Sequence, residues 1–210
     1  MKIQKPEDAF DKSAQIYQDK FMDVSIYTEP LHLFCDKITV EHARILDIAC
    51  GPGNITKYLT DIRPGYDILG TDLAPKMLDL ARINVPGAEF QLMDCRDIGS
   101  IEQKFDGIVC GFCLPYLTRE ETFDLIANVS GLLNNGGLFY LSTMEEDETN
   151  KSRYQTSSTG DQVYVNYYPE AYLREAMLDN NFEIISVKRF SEKDRDGRVI
   201  TDLVLIGKLG

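Results

Sequence analysis

Short apolar runs alternate with helical stretches between residues 43 and 144, and this alternation constrains the fold more than any other feature. The predicted strands are residues 43–49, 66–72, 89–94, 105–112 and 138–144. Helical periodicity fills most of the gaps between them, and the turns are short. Strand–helix repeats of this kind predict an α/β fold, a doubly wound parallel sheet with helices on both faces.

The two ends of the chain depart from this repeat. Residues 6–40 predict two helices, and we interpret residues 1–40 as an N-terminal helical cap. Residues 182–190 and 199–209 are two further predicted strands, and the short polar link between them makes an antiparallel hairpin. Residues 145–168 form a predicted lid-like insertion within a single domain of residues 1–210.

The helix before the fifth strand has a defined start and stop. Thr118 and Glu121 predict a capping box. The expected core stripe is Phe123, Ile126, Val129 and Leu133. Residues 134–137, Asn-Asn-Gly-Gly, predict the end of this helix.

Composition narrows the classes of partner. The chain has 210 residues, 43% of them apolar, and a net charge of -12 without a basic cluster. Such a chain repels phosphate backbones and anionic membrane surfaces, so we expect no nucleic-acid or membrane partner. No apolar run approaches a membrane span, and the N-terminal residues lack a secretory signal, so we expect a cytoplasmic protein. Its oligomeric state is not predicted.

The five cysteines do not predict a metal site. Cys110 and Cys113 form a CxxC pair, but it ends a predicted strand and lacks a second ligand pair in zinc-finger spacing. We therefore expect reduced thiols, buried or lining a pocket, and no bound metal.

Small and acidic residues follow three successive predicted strands. Gly51 and Gly53 lie in the turn after the first strand, Asp72 ends the second and Asp94 ends the third. Glycines allow a ligand to approach the backbone, and a carboxylate at the next strand end can accept both hydroxyls of a ribose. Because these strand ends share one edge of a parallel sheet, they predict a nucleotide-type ligand there.

These motifs together resemble those of the class I S-adenosylmethionine-dependent methyltransferases of the small-molecule type. The matching segments are residues 46–54 (LDIACGPGN), 70–74 (GTDLA), 94–95, 105–110 and 133–137, together with Met77. The resemblance runs from about Phe10 to the C-terminus. It implies a seven-stranded mixed sheet of order 3-2-1-4-5-7-6, in which the last strand is antiparallel.

The resemblance also implies a cofactor, S-adenosylmethionine, and a set of residues that bind it. These are Tyr17, Asp47, Ala49, Gly51, Gly53, Asp72, Leu73, Met77, Asp94, Cys95 and Cys110. By the resemblance, Ala49, Gly51 and Gly53 line the methionine part of the cofactor, and Tyr17 closes over this end. The alternative for Tyr17 is a core position on an amphipathic helix.

The implied activity is direct displacement of the methyl group by a small-molecule acceptor. Such a reaction needs alignment and a water-poor pocket more than a catalytic side chain. Tyr116 stands where many relatives have histidine, so no catalytic residue is assigned. We expect Tyr154, Tyr164, Tyr167 and Tyr168 either to line an acceptor pocket or to pack within the lid.

Two alternatives compete with this interpretation. An NAD-dependent oxidoreductase would carry a third glycine where Thr56 stands. The second alternative is a non-catalytic regulator that has the same fold and binds the adenosyl ligand.

Overall fold

We describe a computed structural model, which defines residues 5–156, 160, 162–193 and 197–210. Residues 1–4 of the predicted cap, residues 157–159 and 161 of the predicted lid and residues 194–196 of the predicted link lie outside the described residues. The side chain of Glu7 is also not described.

The core of the molecule is a seven-stranded sheet of order β3-β2-β1-β4-β5-β9-β8. Its strands are β1 (Arg44–Ile48), β2 (Asp67–Asp72), β3 (Glu89–Leu92), β4 (Phe105–Gly111), β5 (Leu133–Met144), β8 (Phe182–Lys193) and β9 (Val199–Leu209). Strands β1 to β5 are parallel, whereas β9 pairs antiparallel with both β5 and β8. The predicted topology is confirmed, because β8 and β9 are the sixth and seventh strands of this sheet.

Helices cover both faces of the sheet. They are α1 (Pro6–Phe21), α2 (Thr28–Lys37), α3 (Asn54–Ile62), α4 (Pro75–Asn84), α5 (Arg119–Leu132) and α6 (Glu170–Asp179). Side chains of α2 and α3 pack with Ile45, Val109 and Tyr140 on one face. Those of α5 and α6 pack with the residues of the opposite face. Successive side chains of a strand point to opposite faces of the sheet, so each central strand contributes residues to both cores.

The structure corrects two details around α5. The capping box of Thr118 and Glu121 is present, but Phe123 is 39% exposed, and Leu125 and Leu132 are buried instead. Helix α5 ends at Leu132, as the stop at residues 134–137 predicts, but these residues are strand, because β5 begins at Leu133 and not at residue 138. Leu133 pairs with Phe105 before the register shifts, which draws this segment into the sheet.

Part of the predicted lid forms a separate hairpin. Strands β6 (Arg153–Thr156) and β7 (Gln162–Val165) pair antiparallel and stand apart from the main sheet. Asn166 ties the hairpin to the loop after β4, because its backbone N–H donates to the Pro115 carbonyl at 2.8 Å. The hairpin is therefore placed over the carboxyl ends of the parallel strands.

Among the described residues, the structure contains no helix with the length and apolar character needed to cross a bilayer.

Candidate active site

Two adjoining cavities open at the carboxyl edge of the sheet. The smaller has a volume of about 280 Å³ and the larger about 450 Å³. The side chains or backbone that line both cavities belong to Phe10, Tyr17, Ala49, Gly51, Gly111, Phe112 and Tyr116. One region thus has two compartments with a common wall, at the place where doubly wound sheets bind ligands.

The turn after β1 forms part of this wall. Ala49 and Gly51 both have left-handed backbone conformations, with φ of 54° and 55°. A Cβ atom on Gly51 would lie 3.7 Å from Cε1 of Tyr17, on the side that faces the cavities. Strain in a non-glycine residue such as Ala49 is typical of ligand sites, because the surrounding structure must hold it.

Gly53 has a different role in the same turn. Its φ is +80°, and a Cβ atom there would lie 3.4 Å from Cα of Ala81 and 3.5 Å from Val85. The glycine allows α3 to begin close against α4, and it lines neither cavity.

Asp72 connects the turns after β1 and β2. Its Oδ2 accepts the Gly51 N–H at 2.8 Å, and its Oδ1 accepts the Ala74 N–H at 2.8 Å. Burial raises the pKa of the Asp72 carboxyl, and the backbone N–H groups of Ala74, Gly51 and Leu73 oppose this effect. Each oxygen retains a lone pair, so the carboxylate can still accept two ligand hydroxyls.

Asp47 lies deeper, beneath the turn. Only 1% of its surface is exposed, and its Oδ2 accepts the Thr56 hydroxyl at 2.6 Å. Thr56 therefore supplies a buried hydrogen bond at the position where a dinucleotide-binding turn has its third glycine. Burial raises the pKa of Asp47 to about 7, and the nearby negative charge of Asp72 adds to it.

The raised pKa of Asp47 predicts a pH-dependent stability. The native state binds this proton more tightly than the unfolded chain, whose aspartates titrate near pH ~3.9. Its contribution to stability is therefore complete below pH ~4 and is lost as the pH rises to about 7. Relative to Asp47→Asn, the unfolding free energy of the wild type should fall by up to about 4 kcal/mol between pH ~4 and ~8. Urea unfolding of both proteins across this range measures the difference, and parallel pH curves would contradict it.

Asp94 is paired with a cation. Arg96 donates to Asp94 Oδ1 from its backbone N–H at 3.0 Å and to Oδ2 from its guanidinium at 2.5 Å. The Arg96 side chain holds the pKa of Asp94 below its usual range and also bonds Glu121 at 3.1 Å. Arg96 stands two residues after Asp94, and the sequence alone gives no sign that the two side chains pair.

Tyr17 is held over the first turn by helix α1. Its ring packs against Phe10 and Phe21, with centroids 5.7 Å and 4.6 Å away. Burial raises the pKa of Tyr17 to about 12, and the Asp72 charge contributes to this rise. Asn84 of α4 fixes the helix, because its amide donates to Gln18 and to the Pro52 carbonyl.

Most of the residues predicted from the sequence meet in these cavities. The smaller one is lined by Tyr17, Ala49, Gly51, Asp72, Leu73, Met77, Asp94 and Cys95, and Asp47 lines the larger. Cys110, like Gly53, lines neither: it is fully buried in β4.

Sequence reasoning missed two aromatic residues as cofactor-site candidates, Phe112 and Tyr116. Phe112 has φ of 54°, and Tyr116 is partly buried, which raises its pKa. Both line both cavities. Their position at and just beyond the end of the fourth predicted strand was the available signal, since the ligand edge includes every parallel strand end.

The lid tyrosines do not line either cavity. Tyr154 and Tyr164 are exposed and pair edge to face at 5.0 Å across the β6–β7 hairpin. Tyr168 is buried, and its hydroxyl donates to the Leu117 carbonyl. The packing alternative is therefore confirmed, and Gln155, Val163 and Val165 line the larger cavity instead.

Among the described residues, no group of three or more histidine, cysteine or acidic side chains is placed to hold a metal ion.

Comparison with known proteins agrees with this geometry. Residues 45–137 match the family described as a methyltransferase domain. A trans-aconitate 2-methyltransferase from Variovorax paradoxus is 32% identical over 108 residues, which are 51% of this chain and 41% of that protein. An uncharacterized methyltransferase from Synechocystis is 34% identical over 98 residues, 47% of this chain and 45% of that protein. This chain spans less than half the length of either curated relative.

A solved structure extends the likeness to nearly the whole fold. The 1,6-didemethyltoxoflavin-N1-methyltransferase of Burkholderia thailandensis, crystallised with that compound and S-adenosylhomocysteine, matches with a TM-score of 0.73. The identity is 20%, and the match covers 97% of this chain and 86% of that chain.

Residues 45–137 therefore match a methyltransferase domain, and nearly the whole chain has the fold of a solved methyltransferase, in agreement with the class that its motifs predict. The proteins that it resembles are methyltransferases, and they support neither the oxidoreductase nor the non-catalytic alternative.

Proposed function

We propose that this protein transfers the methyl group of S-adenosylmethionine to a small-molecule acceptor by direct displacement. The observation that carries the proposal is the pair of adjoining cavities with a common wall at Tyr17, Ala49, Gly51 and Phe112. The smaller cavity would hold the methyl donor and the larger the acceptor.

The residues of the smaller cavity fit an adenosyl cofactor. Asp72 offers two carboxylate oxygens at the end of β2, which suits the two ribose hydroxyls. Leu73, Met77 and Leu117 add apolar surface for a flat ring, and Asp94 and Cys95 lie at the same end. Because Gly51 lines the cavity without a side chain, its backbone leaves room for the methionine part.

Burial raises the pKa of both Asp47 and Asp72 at the first turn. A ligand cation at this turn, such as the ammonium group of the methionine part, would favour the charged forms of these carboxylates.

When bound, S-adenosylmethionine supplies a methyl group on an electrophilic sulfonium centre. The chain's own contribution is to align the acceptor and to exclude water from the common wall. Tyr17, Phe112 and Tyr116 serve the second purpose, because their rings line both cavities where these adjoin. No side chain has to act as an acid or base for the displacement itself.

A small acceptor fits the size and charge of the site. The larger cavity is about 450 Å³, which is within the usual range for small-molecule pockets. The net charge of -12 opposes nucleic acids. The carboxylates Asp23, Asp47 and Asp202 line the cavity and would repel a tricarboxylate such as the acceptor named for the trans-aconitate relative.

Turnover tests this proposal directly. Purified protein with S-adenosylmethionine and a panel of small amines, phenols, thiols and carboxylic acids should release S-adenosylhomocysteine with at least one acceptor class. Asp72→Ala serves as the cofactor-site control and should lose this turnover. Bound S-adenosylhomocysteine without turnover on any acceptor class would favour the non-catalytic regulator.

The two segments that cover the site should close when ligand binds. Residues 10–30 and 145–168 contribute Tyr17, Tyr27, Gln155 and Val165 to the cavities. Because ligand contacts stabilise the covering elements, we expect added amide hydrogen-exchange protection in both segments with S-adenosylhomocysteine. The central strands β1 and β4 provide the internal control. Full protection of both segments in the free protein would contradict a closing lid.

A further inference from the structure

The larger cavity has an acidic lining. Asp23, Asp47 and Asp202 line it, and Lys20 is the one cationic side chain among the described lining residues. Two of these carboxylates have other partners, because Asp47 accepts the Thr56 hydroxyl and Asp23 accepts the Ser25 N–H. Lys20 stands over the Phe21 ring at 4.5 Å. Asp202 also accepts one hydrogen bond, but its partner is Tyr27, whose ring packs against two further aromatic rings.

Asp202 is a partly buried carboxylate without a described counter-ion. It lies in β9, paired in register with Met144 at the end of β5. Its Oδ2 accepts the Tyr27 hydroxyl at 2.6 Å. The groups that act on its pKa are Tyr27 and Glu192, and no described cation is among them. Burial raises the pKa of Asp202 above its ordinary value, so the charged form gains from a nearby cation.

Aromatic rings stand beside this carboxylate. The ring centroid of Tyr27 lies 5.7 Å from that of Phe112 and 5.3 Å from that of Phe190. Tyr27 and Phe112 both line the cavity. Aromatic faces next to a carboxylate are the combination that binds organic ammonium groups, through cation–π attraction and charge.

A buried hydroxyl provides an independent sign of a ligand. Ser142 is fully buried and lines the same cavity, yet its Oγ has no hydrogen-bond partner of normal geometry among the described residues. The Tyr140 hydroxyl is close enough for Ser142 to oppose the rise in the Tyr140 pKa, but the two side chains do not meet the geometry of a hydrogen bond. A buried polar atom left in this state costs free energy unless a ligand satisfies it.

We infer that the larger cavity binds an acceptor that carries a cationic nitrogen, held by Asp202 and the rings of Tyr27 and Phe112. Ser142 would hydrogen-bond a polar group of the same molecule nearer the common wall. This inference rests on the proposed function, since it names the class of acceptor for that site.

Binding of a charged probe and its uncharged isostere tests the inference. Choline and 3,3-dimethylbutan-1-ol have the same shape and differ in the charge. With S-adenosylhomocysteine bound, NMR titration of the wild type should show that choline binds at least ~10-fold more tightly than the alcohol. Asp202→Asn keeps the size of the side chain and the oxygen that accepts the Tyr27 hydroxyl. It should weaken the binding of choline about 10-fold and leave the binding of the alcohol unchanged. Asp23→Asn removes an exposed carboxylate at the same cavity and should change choline binding less than ~2-fold.

The outcomes separate this inference from the proposed function. Equal binding of choline and the alcohol to the wild type, with S-adenosylhomocysteine still bound, would overturn the cationic acceptor and leave the methyltransferase proposal intact. Loss of choline preference in Asp23→Asn but not in Asp202→Asn would also overturn it. Failure to bind S-adenosylhomocysteine would overturn both. The wild-type comparison decides the matter even if Asp202→Asn does not fold.

Discussion

Gly51→Val is expected to abolish cofactor binding, with a loss in affinity for S-adenosylhomocysteine of about 100-fold or more, or about 2.7 kcal/mol. The new Cβ atom would stand 3.7 Å from Tyr17, and the two methyl groups beyond it would enter the wall common to both cavities. The backbone φ of +55° adds strain, because β-branched residues rarely adopt it. Calorimetric titration with S-adenosylhomocysteine measures the loss.

The control separates this effect from a general loss of stability. Gly131 lies within α5, and a Cβ atom there would meet no neighbour within 4 Å. Gly131→Ala should leave cofactor affinity unchanged and add about 0.5–1 kcal/mol of stability. If Gly51→Val keeps both its affinity and its thermal stability, the turn does not touch the ligand.

Asp72→Ala is expected to have the second largest effect. It should weaken the binding of S-adenosylhomocysteine by about 1.5–3 kcal/mol, which is the scale of hydrogen bonds to a charged group. It should also lower the free energy of unfolding by about 1–3 kcal/mol, because the backbone N–H groups of Gly51 and Ala74 lose their acceptor. Titration and urea unfolding of the same preparation measure the two losses.

Two variants bracket this result. Asp72→Asn retains one acceptor oxygen and should fall between wild type and alanine in both measurements. Asp67→Ala removes an exposed carboxylate at the opposite end of β2 and should change neither. Wild-type affinity in Asp72→Ala would place the ribose elsewhere.

The sheet could be predicted from the sequence because its parallel strands are short, apolar and separated by helical periodicity. The same reasoning placed Gly51, Asp72 and Asp94 together, since strand ends of a parallel sheet meet at one edge. The capping box of Thr118 and Glu121 was also predicted, because this motif has a fixed spacing along the chain.

What could not be predicted depends on contacts between distant segments. The role of Gly53 becomes visible only when Ala81 of α4 lies against it. Tyr154 and Tyr164 pair with each other because the hairpin register sets them opposite, which composition does not specify. Tyr27 and Asp202 are 175 residues apart in the chain, so only the folded structure brings them together.

One titration addresses the central claim most directly. Isothermal calorimetry of the free protein should show S-adenosylhomocysteine binding with a dissociation constant in the micromolar range, about 7–8 kcal/mol, and no measurable binding of NAD. Tight binding of NAD without binding of S-adenosylhomocysteine or S-adenosylmethionine would contradict the assignment of the smaller cavity to the methyl donor.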